Sequence, residues 1–530
     1  MEKRETINNC GNVKGRMNRG CIEANTLAII DSAEVHKDSQ DAKDDRMDFL
    51  EAVRIASIVP ENGTPPTKKM VEAVFQILRA GKSLELIMSS YELLNEIEKR
   101  FPRIYVSESS GNGSPELVVI EEAWLPFMVS LDVMSSEKET NRRKLRGLFD
   151  PNGFHELITG LAEMAYKTNS QRLDTKVCVL IPCISSFNSL DSLHIAPRIS
   201  HMIVYFNCTH SNGKHHVSLT LQPASKTTLL QFLGNMLLFQ YLVNVLEGDF
   251  LARISMYKES MNWNFLRECL INMLLASKRV NYRVLMKECL HTICGLYQDY
   301  AGIRNEPDSS DEHSSENHNT DVAIALLEVQ RTTCMAMQKL IIMIMEIDMS
   351  KQQANMLGLT TRSDGLRIPL IEIILDELTY YRKILPRFLQ IFNDPKWKLE
   401  IIVQYLLKYT AKPVRTRRSN GPSEDSTFLG VLKSFSNSSS VRSIIKKLNV
   451  EVIQLLLAHA FLAYMSLTSQ QLLPGMPGCN EAVIDSLSLV EISKNVAAAF
   501  NGLREADKKI QISSLGKEAL FTATMIISTS

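Results

Sequence analysis

Apolar positions recur with the period of an α-helix along much of the chain, most clearly between residues 363 and 418. Three successive segments there each predict a helix of roughly 10–15 residues with an apolar stripe. The stripe positions are Ile368, Ile371, Leu375 and Leu378 in the first segment, Ile384, Phe388 and Ile391 in the second, and Leu399, Val403 and Leu407 in the third. Because such stripes must be buried, each helix needs a neighbour. Short helices in tandem that bury one another are typical of a helical-repeat array.

Capping residues predict where several helices begin and end. Asp394 followed by Pro395 is an acidic N-cap with proline at the first helical position, where its missing N–H costs nothing. Thr67 is predicted to cap a helix that Gly81 ends, and Leu84 to Arg100 is predicted as the next helix. We find no repeated consensus at a fixed period, so any repeats have diverged.

The predicted fold is all-α, an armadillo/HEAT-like helical solenoid with a disordered N-terminus and long loops. Residues 305–320 are acidic and serine-rich and have too few apolar side chains to order. We favour a flexible connector there, and the alternative is a regulatory loop phosphorylated at Ser309. The predicted divisions are a disordered tail (1–22), an N-terminal helical region (23–176), an atypical insertion (177–226), middle helices (227–304), the acidic disordered loop (305–320) and a C-terminal helical array (321–530).

The segment 177–226 does not match its surroundings, because charges nearly vanish and the helical period is lost. Its potential metal ligands are Cys178, Cys183, Cys208, His210, His215 and His216. Their spacing fits no common zinc pattern well, since zinc sites usually use two close ligand pairs. A zinc site and an edge β-hairpin stay open as alternatives. We favour a poorly ordered insertion without function, such as a translated intron.

Composition narrows the class of protein. The 530 residues carry 59 Lys and Arg against 59 Asp and Glu, so whole-molecule charge does not indicate a nucleic-acid binder. Ten scattered cysteines and no apolar signal segment indicate reduced thiols in the cytosol or nucleus. No run of 18 apolar residues occurs, so we expect no membrane association.

No nucleotide-binding, hydrolase or zinc-protease motif occurs, so we predict no enzyme, no cofactor and no metal site. Glu372, Asp376 and Glu377 form an acidic cluster that a paired-carboxylate catalyst would require. No histidine nearby converges on it, and Arg382 and Lys383 are positioned to neutralise it. We therefore interpret the three acids as a solvated or partner-binding face. Two histidines, His291 beside Cys289 and Cys294, and His459 in an apolar helix, are interpreted as core residues.

The strongest local charge feature is the basic cluster of Lys412, Arg415, Arg417 and Arg418. Three interpretations compete: a nuclear-import signal, phosphate contacts to nucleic acid, or a solvated loop. Four phosphate contacts would lose roughly a hundredfold in affinity between 50 and 200 mM salt. The cluster therefore fits import or an auxiliary contact near DNA better than sequence-specific recognition.

Several strings resemble one family, and in length and order they cover most of the chain except 177–226. They are EANTLAIIDS (23–32), VPENGTPPTKKM (59–70), MNWNFLRE (261–268), DGLRIPLIEIILDELTY (364–380), DPKWKLEIIVQYLLKY (394–409) and KPVRTRR (412–418). The resemblance is to the plant negative regulators of systemic acquired resistance, the family of suppressors of nonexpresser of pathogenesis genes, inducible.

The resemblance implies a nuclear, armadillo-like, non-catalytic scaffold subunit of the structural maintenance of chromosomes five/six complex. It implies roles in the DNA damage response and homologous recombination, and as a transcriptional repressor of pathogenesis-related genes. The expected partners are the other subunits of that complex and transcription factors at defence-gene promoters, with chromatin contact direct or indirect. A cytoplasmic trafficking or import adaptor on the same fold is the alternative, and an enzyme that uses the acidic cluster or the Cys/His segment is a second rival.

Overall fold

The structure is a computed structural model of the whole chain. It describes residues 40–107, 115–128, 149–174, 223–301, 317–361, 367–410, 427–471, 486–506 and 511–529. The predicted disordered tail, the basic cluster 412–418 and nearly all of the predicted insertion 177–226 lie outside these residues. The described part is almost entirely helical, which confirms the predicted fold class.

Seventeen α-helices are described. In the first half they are α1 (Gln40–Ser57), α2 (Lys68–Ala80), α3 (Leu84–Arg100), α4 (Pro151–Asp174), α5 (Pro223–Ser260), α6 (Asn264–Arg267), α7 (Leu270–Ala276) and α8 (Tyr282–Ala301). In the second half they are α9 (Asn317–Met356), α10 (Leu370–Tyr380), α11 (Leu385–Ile391), α12 (Pro395–Leu407), α13 (Phe428–Ser434), α14 (Ser438–Lys447), α15 (Val450–Gln471), α16 (Ser486–Ala506) and α17 (Ser514–Thr529). A 3₁₀ turn, Arg382–Ile384, joins α10 to α11.

Local sequence explains several boundaries. The side chains of Thr67, Ser83 and Asp394 accept hydrogen bonds from backbone N–H groups at the starts of α2, α3 and α12. Two helices begin before the predicted divisions would place them. Helix α5 begins at Pro223, inside the predicted insertion, and α9 begins at Asn317, inside the predicted acidic loop.

One feature of the described chain is not helical and was not predicted. Strands β1 (Ile104–Ser107) and β2 (Glu116–Val119) pair antiparallel, with Ile104 opposite Val119. The hairpin packs against α5, and Ile104 is buried.

Long helices lie side by side in a row, and their polar contacts give the direction. Between α5 and α9, Gln240 contacts Thr333, Glu247 contacts Lys339, and Tyr257 contacts Ser350, at sequence separations of 93, 92 and 93 residues. A nearly constant separation requires the two helices to run parallel. Helices α3 and α5 also run parallel, since Tyr91 contacts Gln240 and Asn95 contacts Asn244, and the residues of each pair are 149 apart in the sequence. Parallel stacking of equivalent helices is the arrangement of a helical solenoid.

A second row is formed by α4, α8 and α10. Thr159 of α4 donates to Glu288 of α8 at 2.8 Å, and Arg283 of α8 contacts Asp376 of α10 at 3.0 Å. Helices α4 and α8 pack closely, and α8 also packs against α9 of the first row. The two rows enclose a continuous core.

Two stretches 100 residues apart share a sequence pattern and a structural device that the sequence analysis did not detect. Both 266–275 (LRECLINMLL) and 366–375 (LRIPLIEIIL) read Leu-Arg-x-x-Leu-Ile. Leu270 and Leu370 begin α7 and α10, and neither preceding residue caps its helix through a side chain. Instead Asp249 of α5 accepts from the Leu270 N–H at 2.7 Å, and Asp348 of α9 accepts from the Leu370 N–H at 2.8 Å.

These carboxylates supply negative charge and a hydrogen-bond acceptor to helix starts that otherwise leave backbone donors unsatisfied. Each is also paired with an arginine, Asp249 with Arg253 at 3.0 Å and Asp348 with Arg367 at 2.5 Å. We conclude that the chain contains at least two diverged structural repeats, each with a long helix that caps a shorter one.

Two helical segments, Leu229–Ser260 and Val450–Ser469, are long and apolar enough to cross a membrane by length and composition. Within the protein 61% and 56% of their most apolar windows are buried. Both belong to the core of the array, where burial accounts for their apolar character. For α15 this agrees with the prediction of a buried core helix.

Candidate interaction surfaces

The predicted acidic face on α10 does not form one exposed surface. Glu372 is exposed and Asp376 is half-buried, whereas the Glu377 side chain is only 2% exposed. The 3.6-residue period explains the difference, because Glu377 shares the inward side of α10 with Ile373 and Ile374. The proposed partner-binding role therefore fits Glu372 best and does not fit Glu377.

Glu377 is held by two side chains from α8. Its carboxylate lies 2.7 Å from Lys287 Nζ and 2.8 Å from His291 Nε2. Burial alone raises the pKa of Glu377, but the hydrogen bonds and charges of Lys287 and His291 outweigh it and lower the pKa below its ordinary value. A histidine does converge on the acidic cluster, contrary to expectation, and it arrives from 86 residues earlier in the chain.

His291 itself is not a core residue. Its side chain is 41% exposed, and its ring meets the ring of Tyr381 edge-on at 5.4 Å. The predicted neutralising residues, Arg382 and Lys383, are exposed, and the pairing is done by other cations. Asp376 contacts Arg283 at 3.0 Å and Lys408 at 3.4 Å, so it links α8, α10 and the end of α12. Exposed pairs of this kind contribute about 0–1 kcal/mol each.

An exposed patch of aromatic and cationic side chains follows directly on α10. Tyr380 is 79% exposed and Tyr381 is 55% exposed. Together with Arg382, Lys383 and Ile384 they line an open depression of about 560 Å³. We call the residues 380–383 the tyrosine patch. Tyrosine and arginine are enriched where protein partners bind, because each offers a large contact area and a polar group.

Thiol and metal chemistry find little support in the described chain. Cys269, Cys289, Cys294 and Cys334 are buried free thiols. Burial raises the pKa of Cys289 and of Cys294 to about 12, so neither is a nucleophile at neutral pH. Within the described ranges no three His, Cys, Asp or Glu side chains are grouped to hold a metal ion. The Cys/His segment from Cys178 to His216 lies outside those ranges.

His459 lies between α15 and α12 in a largely apolar setting. Burial, and then the charge of Lys398, lower the pKa of His459 to about 4. Burial also lowers the pKa of Lys398 to about 8, against the opposing charge of Asp394. Among the described residues Nε2 of His459 has no hydrogen-bond partner. The residue as a whole is half-buried, so it lies at the edge of the core and not inside it, while its Nε2 atom is buried.

These features define a class of protein. Parallel rows of helices around a continuous core are the architecture of a helical-repeat protein.

Comparison with known proteins then gives the family. The model of the SNI1 middle domain matches residues 103–182 and 215–394, and that of the SNI1 C-terminal domain matches 409–530. The negative regulator of systemic acquired resistance SNI1 from Arabidopsis thaliana is 40% identical over 511 residues, which cover 96% of this chain and 95% of that protein. The chain belongs to the SNI1 family, which confirms the resemblance seen in the sequence. No solved structure matches it. Residues 183–214, which the family model leaves out, lie inside the predicted insertion.

Proposed function

We propose that this protein is a negative regulator of systemic acquired resistance that acts as a nuclear, non-catalytic scaffold. The observation that carries the proposal is its 40% identity, along 96% of its length, to the Arabidopsis thaliana negative regulator. A relationship that spans both chains end to end favours a shared role over a borrowed domain.

The finer part of the proposal concerns the assembly. We infer that the protein is a subunit of the structural maintenance of chromosomes five/six complex, that it acts in the DNA damage response and homologous recombination, and that it represses pathogenesis-related genes. The mechanism is assembly rather than turnover: the array holds other subunits and transcription factors near defence-gene promoters. The polar contacts that join the parallel helices support this role, because a scaffold must keep its bound partners at fixed positions.

Affinity purification of the tagged protein from plant nuclei, followed by mass spectrometry, tests the assembly. Co-purification of the complex's other subunits supports the proposal, and a preparation that lacks them under conditions that recover known complexes contradicts it. Expression in Arabidopsis thaliana that lacks its own SNI1 tests the regulatory role, since restored repression of pathogenesis-related transcripts is expected.

The tyrosine patch is our candidate docking surface for a protein partner. Tyr380→Ala with Tyr381→Ala removes its aromatic area together with the ring contact between Tyr381 and His291, so partner recovery is expected to fall while the circular dichroism spectrum stays unchanged. The matched control is Phe521→Ala with Met525→Ala, which removes exposed apolar area (68% and 48% exposed) from α17. Equal recovery with both double variants would exclude the patch.

Localisation separates the proposal from the cytoplasmic adaptor. We expect the intact protein in nuclei and expect Arg415→Ala, Arg417→Ala and Arg418→Ala together to reduce import. Persistent exclusion of the intact protein from nuclei favours the adaptor instead.

A further inference from the structure

Helices α13 and α14 carry exposed cations that are separate in sequence from the basic cluster 412–418. Lys433 of α13 and Arg442, Lys446 and Lys447 of α14 are all exposed. We call these four side chains the basic face. Residues 427–450 contain no Asp or Glu, and in the described chain no ion pair joins the basic face to an acid.

The fold fixes which way Arg442 and Lys446 point. Val441 and Ile444 are the buried residues of α14, and the helix packs on α16 through them. Arg442 and Lys446 are one turn apart on the opposite, solvent side, which places them about 6 Å apart along the helix axis. That separation is close to two steps of about 3.4 Å between charges along one strand of duplex DNA. The end of α16, which lies against Phe435 and Val441, adds Arg504 and Glu505, whose charges cancel.

The polar residues around the cations suit phosphate oxygens. Ser436 and Ser438 precede α14 or begin it, Ser443 stands beside Arg442, and all three are exposed. Hydroxyl side chains together with Arg and Lys make most contacts to nucleic-acid backbones.

The same surface lacks what other anionic partners require. None of the exposed large hydrophobic side chains of the described chain falls between 427 and 450. Acidic peptides normally dock with apolar anchors as well as charge, and single strands stack their bases on aromatic rings. We propose that the basic face binds the phosphate backbone of duplex DNA without sequence preference. This inference deepens the proposed function, on which it rests, because it names a surface through which the scaffold would contact DNA directly.

The experiment is fluorescence anisotropy of the purified full-length protein with a labelled 20-base-pair duplex, titrated between 50 and 200 mM salt. The test variant is R442Q/K446Q/K447Q. The matched control, K69Q/K258Q/K278Q, removes three exposed cations far from this face in sequence. Residues 411–426 stay unchanged in both, and circular dichroism verifies that both keep their helices.

The wild type and the control are expected to bind two duplexes of unrelated sequence alike. Losing three phosphate contacts lowers the log–log salt slope by about 2.7, so the wild type loses roughly 40-fold more affinity across this salt range than the test variant does. R442K/K446R/K447R is expected to restore binding, since charge is what counts. Wild-type affinity and slope in the test variant overturn the proposal, as does a wild type that ignores the duplex at 50 mM salt. Binding of poly-glutamate in place of the duplex, lost in the test variant, would assign the face to an acidic polypeptide instead.

Discussion

Gln240 joins three helices through hydrogen bonds, and its replacement tests how much these bonds stabilise the parallel row. Its side chain, on α5, is buried. The amide oxygen accepts from the Tyr91 hydroxyl of α3 at 3.0 Å, and the amide nitrogen donates to the Val329 carbonyl and the Thr333 hydroxyl of α9 at 3.2 and 2.9 Å. At about 1 kcal/mol for each bond, Gln240→Leu forfeits about 3 kcal/mol, of which the apolar side chain returns a part. We expect a net loss of about 2–3 kcal/mol.

A double-mutant cycle makes the test specific. Tyr91→Phe removes one of the three bonds and is expected to cost about 1 kcal/mol. The double variant should cost about as much as Gln240→Leu alone, because the bond is already broken and no hydroxyl is stranded, which gives a coupling of about 1 kcal/mol. Urea unfolding followed by circular dichroism measures the losses, and hydrogen exchange reports on α3, α5 and α9. Gln390→Leu, at an exposed site, is the control and should change stability by less than about 0.5 kcal/mol. The reasoning is refuted if Gln240→Leu resembles that control, or if the two single losses simply add.

Three further outcomes follow from other buried polar groups. Asp348→Ala breaks a largely buried ion pair and uncaps α10 at Leu370, so urea unfolding should show a loss of about 3–5 kcal/mol; a loss below 1 kcal/mol contradicts the capping role. For His459 the folded pKa is about 4 and the ordinary value 6.5, so protonation favours the unfolded chain. Thermal stability should therefore fall as the pH drops from 6.5 towards 4, and His459→Leu should lack that component of the fall. The pKa of Glu377 is below 4.5 in the folded protein, so its contribution is present above pH 4.5 and is lost as the pH falls further. Glu377→Gln should be less stable at pH 7, with a deficit that shrinks in acid, whereas Glu372→Gln should change little at either pH.

Sequence periodicity and capping residues were enough to predict the fold class and much of the helix map. Leu84–Arg100 has the bounds that were predicted, and Asp394 caps α12 as expected. Both results rest on local signals, an apolar stripe and a side chain that reaches a nearby N–H. Ile368 shows the limit of periodicity: it continues the stripe of α10 but lies before the helix and is 46% exposed, because Pro369 stands at the boundary.

The site residues were harder to predict because their partners are distant in the sequence. No residue close to Glu377 in the sequence indicates that Lys287 and His291 contact it. The buried carboxylate was therefore interpreted as part of an acidic surface. The β-hairpin was missed although the sequence carried a signal: Gly-Asn-Gly at 111–113 stands between two β-branched runs. The Leu-Arg-x-x-Leu-Ile pattern that begins at 266 and 366 is also present in the sequence. Only the structure shows that Asp249 of α5 and Asp348 of α9 cap the helices that follow it.

The constant offset between α5 and α9 has a mechanical consequence. Sliding one helix past the other by a single turn would shift it by about 5.4 Å and would break the contacts at Gln240, Glu247 and Tyr257 at once. Continuous shear along this seam is therefore suppressed, and bending must concentrate at junctions that lack such cross-links. Two macromolecules bound to different parts of this row would therefore be held at a fixed distance from each other, because the row between them resists stretching.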